Sequence, residues 1–166
     1  MGDQVDAIIA AWGRERPDLD VAPVGVVSRV ARLAARFSQA LEANFAGHGL
    51  TKADFEALAA LRRSGTPYRL SQTRLMRELS LTPGTVSVRI ARLVERGFVE
   101  RLAADDDRRG VVVALLPAGE RAFEDVVDDH LATERRLLAA LDPGEQELLA
   151  GLLRRLLPAE TPDASS

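Results

Sequence analysis

The chain contains no cysteine. That absence excludes disulfides, thiolate metal sites and thiol-based peroxide sensing within it. Histidine is nearly missing too: His48 and His130 lie far apart, neither sits in a ligand-spaced cluster, and no metal or cofactor is expected. No apolar run reaches bilayer length, so no membrane partner is expected. The opening MGDQVDAIIAAWGRERPD is acidic and lacks a cleavable apolar core. The expectation is a soluble, cytoplasmic protein. No Ser/His/Asp or Cys/His set, Gly-rich phosphate loop or paired-carboxylate cleft can be assembled, so it reads as a non-enzyme.

What is present is a globular composition over 166 residues, 46% hydrophobic and 28% charged. The net charge is −3, but its distribution is uneven. Between Arg69 and Gly110 nine arginines face six acids, while the rest of the chain is net acidic. Of the 22 basic residues 21 are arginine, a bias that can also be purely compositional.

Val5, Ile8, Ile9 and Trp12 recur at helical spacing, predicting a first helix from Asp3 to Arg14. Pro23 marks a long second helix carrying Val27, Val30, Ala34, Phe37, Leu41 and Phe45. Thr51 reads as the N-cap of a third, ending at Arg63 before Ser64-Gly65-Thr66-Pro67. After an extended Tyr68-Arg69-Leu70, Ser71 starts a short fourth. Thr82-Pro83 caps a fifth, with Val86, Ile90, Leu93 and Val94 inward and Gly97 closing it. Phe98–Leu102 and Val111–Leu116 form a β-hairpin around the charged loop AADDDRRG. A sixth helix runs to Leu141, with Phe123, Val126, Val127, His130, Leu131, Leu137 and Leu138 inward. Asp142-Pro143 caps a leucine-rich last one. The fold class is therefore mainly α with a small β-hairpin wing, a winged helix-turn-helix. Residues 1–50 form N-terminal helices, 51–117 the winged lobe, 118–158 C-terminal helices and 159–166 a disordered tail.

A helix that reads DNA needs an uncluttered start to enter a major groove roughly 12 Å wide. Stepping about 100° per residue along the fifth helix turns Gly84 and Val88 outward, flanked by Thr85, Arg92 and Ser87. Thr85 and Ser87 suit base edges or phosphates, Val88 a thymine methyl, and Arg92 a phosphate. At the wing tip, Arg108 and Arg109 suit a narrowed minor groove, with Asp107 orienting the guanidinium fork; alone, the loop also fits a solvated turn. Ser71 and Thr82, at the two helix starts, complete the candidate DNA-contact set.

The span LTPGTVSVRIARLVERGFVERLAADDDRRGVVVALLPAGE resembles the recognition helix and wing of the MarR family of bacterial transcription regulators. The D-x-R of Asp107 to Arg109 and the L-x-P-x-G of Leu115 to Gly119 match that family's pattern, and the likeness extends over nearly the whole chain. The resemblance implies a homodimer whose terminal helices interlock and whose two lobes bind double-stranded DNA at a pseudo-palindromic operator. The extra first helix with Trp12 resembles the branch responding to urate, related purines or trans-aconitate. It implies a small anionic or aromatic effector held by Trp12, Glu56, Arg89 and Arg101; position 56 departs from that branch, which usually has aspartate there.

The residues support that assignment unevenly. Arg89 lies roughly 60–80° from the inward direction of its helix, close enough to the core to want a carboxylate partner. Glu56 points away from Phe55, Leu58 and Leu61, which also fits an ordinary exposed residue; Trp12 also fits plain packing, and Arg101 a phosphate contact. Repression is the family's expectation. A sensor of phenolic compounds or antibiotics, and a helical dimer acting only through protein partners, are the alternatives.

Overall fold

The computed structural model describes residues 2–103 and 110–157. Helix α1 (Gln4–Glu15) leads into the long α2 (Ala22–Gly47), then α3 (Lys52–Arg63). Strand β1 (Arg69–Ser71) and α4 (Gln72–Glu78) follow, then α5 (Pro83–Glu95), β2 (Val99–Ala103) and β3 (Val111–Leu115). The chain closes with α6 (Pro117–Leu137) and α7 (Pro143–Leu156). The result is mostly helical, a winged helix-turn-helix with a small antiparallel sheet.

Local chemistry sets the helix starts. Thr51 and Asp54 form a reciprocal capping box on α3, as Asp142 and Glu145 do on α7. Ser71 caps α4, and Thr82 caps α5 with Pro83 at the first helical position. Past the end of α5, Gly97 takes a φ of 68°, a left-handed conformation that turns the chain into β2.

The core belongs to the lobe. Helix α3 is buried nearly all round: Phe55, Ala57, Leu58, Ala59, Ala60 and Leu61 are all inside. Around it close Phe45, Leu75, Val86, Ile90, Leu93, Val99, Val113 and Val126. Phe45 and Phe55 stack at 4.8 Å, and His130 of α6 lies 4.6 Å from Phe55. Gly119 brings α6 onto β2: a Cβ there would run into the Phe98 carbonyl, which already accepts the Leu116 amide at 2.9 Å. The L-x-P-x-G spacing thus has a steric cause.

The wing hairpin forms as expected and gains a strand, while three other expectations need correction. The hairpin is part of a three-stranded sheet, because the extended Tyr68–Leu70 segment supplies β1 and pairs Leu70 with Val113; β3 lies in the middle. Val94 is exposed, since the buried face of α5 is only wide enough for Val86, Ile90 and Leu93. Leu131 is likewise exposed, and α6 stops at Leu137, its last turn closing into a short turn before the Asp142 cap. The expected tail 159–166 lies outside the described residues.

Candidate nucleic-acid interface and effector site

The helix-turn-helix presents α5 outward with its N-terminal half uncrowded. Val88 is 72% exposed, and Thr82, Gly84 and Thr85 are exposed beside it. The Thr82 Oγ1 accepts from the Thr85 amide at 3.3 Å and lies 2.9 Å from the Thr85 hydroxyl. The cap and the first outward hydroxyl are therefore coupled, and either can turn a proton to an acceptor outside. Ser71 is exposed where α4 begins, its Oγ accepting from the Arg74 amide at 3.1 Å. Ser87 is half-buried and its hydroxyl accepts from Gln72 Nε2 at 3.0 Å, a bond that pins the start of α4 to α5. Asp107, Arg108 and Arg109, assigned to the wing tip, lie outside the described residues.

Arg92 is not the free cation that the outward projection implies. Its Nη2 lies 3.2 Å from Asp54 Oδ2, with half of the side chain exposed. Asp54 has no solvent exposure and also holds Arg96 at 3.0 Å. Asp54 and Gln72 are the two residues here that reading the sequence missed. The signal for Asp54 was its place three residues after the Thr51 cap; Gln72 carried none, because its partner lies 15 residues away across the turn.

Of the proposed effector set, two residues meet. Arg89 Nη1 donates to Glu56 Oε2 at 3.4 Å, and the Arg89 side chain is only 14% exposed. The half-buried guanidinium has the carboxylate partner it needs. Lys52, one turn before Glu56, adds a second cation at 3.8 Å. Arg101 on β2 donates to the Ser87 carbonyl at 3.1 Å, so it touches α5 two residues before Arg89. Trp12 stands on α1 and is exposed; the packing partner of α1 is α2. An open cleft of about 600 Å³ separates the first turn of α3 from α5, lined by Asp54, Thr85, Val88, Arg89 and Arg92; Trp12, Glu56 and Arg101 do not line it.

Carboxyls in the helical arms show a separate electrostatic feature. The Arg29 guanidinium, 2.8 Å from the Asp3 carboxylate, holds that carboxyl below the ordinary aspartate range. Asp6 grips the same arginine at 2.6 Å, and Arg32 donates to Gln4, so α1 is clasped to α2. Among the described residues no group of three or more His, Asp or Glu is placed to hold a metal ion, and no helix is long and apolar enough to cross a membrane.

Comparison with known proteins agrees with this geometry. A family model described as MarR family matches residues 48–110. The HTH-type transcriptional regulator PecS of Dickeya dadantii is 33% identical over 153 residues, 92% of each chain. A mutant MarR from E. coli, solved in complex with operator DNA, superposes with a TM-score of 0.70 at 25% identity, over 95% of this chain and 100% of that one. BpsR of Bordetella bronchiseptica, whose DNA binding is regulated by 6-hydroxynicotinic acid, gives 0.70 at 26% identity, over 80% of this chain and 93% of that one. The extended outward helix, the three-stranded wing sheet and near full-length similarity converge: the chain belongs to the MarR family of DNA-binding transcriptional regulators, which are not enzymes.

Proposed function

We propose that the protein is a homodimeric repressor whose two α5 helices read a pseudo-palindromic operator, and that a small anionic ligand such as urate or another purine releases it. The observation that carries the reading is the placement of Arg89. It sits on the flank of α5 behind Val88 and Thr85, half-buried against Glu56 of α3. A ligand that engages Arg89 therefore pulls on the same helix that meets the groove, and Arg101, tied to the Ser87 carbonyl, extends that pull to β2.

The Glu56–Arg89 pair also bears on ligand chemistry. It offers an acceptor beside a donor, which suits a lactam edge carrying both N–H and C=O. A tricarboxylate such as trans-aconitate brings only negative charge toward Glu56, so purines fit this pair better. Trp12 joins the site in the dimer as the aromatic wall, and Arg108 and Arg109 enter the minor groove at the wing with Asp107 orienting the guanidinium fork. The dimer itself is supported by α7, which buries none of its residues within the chain.

DNA and ligand must then weaken each other by the same factor. The test is fluorescence anisotropy with a duplex that the protein selects from a random pool, titrated with urate. Arg89→Ala should keep DNA affinity within a few-fold and lose the urate response. Release of DNA by urate from that variant would remove Arg89 from the site. A true ligand at 100 times its Kd should add roughly 2.7 kcal/mol to thermal stability.

A further inference from the structure

Neither the DNA-contact set nor the effector set uses Asp54, although it carries a carboxylate with no solvent exposure. Its Oδ2 accepts from the Thr51 amide at 3.0 Å and from Arg96 Nη1 at 3.0 Å, and lies 3.2 Å from Arg92 Nη2. Its Oδ1 is buried with no hydrogen-bond partner. Arg92 lies in the last turn of α5, and Arg96, four residues on, is its C-cap. One carboxylate on α3 thus grips both the last turn of the outward helix and its C-cap.

The two arginines differ in their freedom. Arg96 also donates to the Gly49 carbonyl at 2.9 Å and lies over the Phe98 ring at 4.5 Å, so it is fixed from three sides. Arg92 is half exposed on the cleft beside Val88, within reach of solvent and of any duplex lying on α5. It must divide itself between Asp54 and a phosphate. A carboxylate with no solvent exposure that loses one of its two cations is left with only Arg96 against its charge, which is costly. A phosphate that lacks this arginine keeps its hydration and its counterions. The balance favours Asp54.

We propose that Asp54 is a positioning residue for DNA reading: it keeps Arg92 folded onto α3 while the protein is on DNA, so Arg92 sets the tilt of α5 and makes no phosphate contact. This rests on α5 being the groove helix. It reverses the role that helical projection alone assigns to Arg92. The tilt matters because Gly84, Thr85 and Val88 reach base edges only if α5 enters the groove at one angle.

The test measures affinity for the selected duplex and for a scrambled one across a salt series. Arg92→Ala leaves the Asp54–Arg96 pair intact and changes a half-exposed residue. It should keep the wild-type salt slope while discrimination between the duplexes falls about tenfold, the size of one lost base pair of readout. Asp54→Asn frees Arg92 for phosphate, so the slope should steepen by about one and discrimination should fall similarly. A slope that becomes shallower by about one in Arg92→Ala would place Arg92 on a phosphate and overturn the proposal. So would an Asp54→Asn protein identical to wild type in both readouts. If Asp54→Asn does not fold, Arg92→Ala decides alone. A Thr85→Ala/Val88→Ala control separates the two levels. If it retains full discrimination, α5 is not the reading helix and both ideas fall; if it loses discrimination while Arg92→Ala loses slope, only the role of Asp54 falls.

Discussion

The winged lobe and the helical arms bury their apolar residues in opposite ways. In the lobe, Leu58, Leu61, Leu75, Ile90 and Leu93 are fully enclosed by one another. In the arms, Val26, Val27 and Leu33 of α2 and Leu148, Leu152 and Leu156 of α7 face outward, and Leu156 is 70% exposed. Both regions show the same helical periodicity. The difference lies in what is available to pack against: α3 is ringed by five elements, whereas α7 has little of its own chain near it. A hydrophobic stripe states that a face will be covered; it does not state by what.

The sharpest way to break the contrast is in α7. Leu148→Glu with Leu152→Glu should dissociate the proposed dimer while leaving the lobe folded, removing on the order of 6 kcal/mol of association energy across two copies. Sedimentation that still reports the wild-type mass would mean the arms are not the interface. In the lobe, Leu58→Ala should leave the assembly's architecture alone and lower unfolding stability by about 2–5 kcal/mol in denaturant titration. A loss below about 1 kcal/mol would show the lobe core to be less enclosed than its geometry implies. Thr82→Ala probes the lobe's edge: losing the α5 cap should lower stability by about 1 kcal/mol and weaken DNA binding through fraying of the first turn.

The smallest effect belongs to the clasp of α1. Because the Arg29 guanidinium depresses the Asp3 carboxyl in the folded state, the clasp is fully formed above the ordinary aspartate range and is lost as pH falls through the lowered value. Hydrogen exchange below about pH 4 should show α1 opening before the lobe does. Simultaneous opening would make α1 part of the lobe's cooperative unit.

Much of this arrangement was readable before any coordinates. The side chains of Thr51, Ser71, Thr82 and Asp142 each accept from a backbone amide three residues on, so their chemistry is local and the sequence carries it. The inward lean of Arg89 followed from helical geometry, and its partner is indeed a carboxylate, Glu56. What escaped was non-local. Strand β1 has three residues, too few for an alternating pattern, and exists because β3 offers it an edge. Asp54 looked like one more acid in a helix's first turn, since the two arginines it holds lie about forty residues further along. The exposure of Val94 and Leu131 was hidden for the same reason: a period predicts a face but not its width.

Gly119 has a mechanical consequence. With only a hydrogen between the first turn of α6 and the Phe98 carbonyl, the joint between wing and arm has no slack. A residue larger than glycine at position 119 would therefore wedge α6 away from the wing strands.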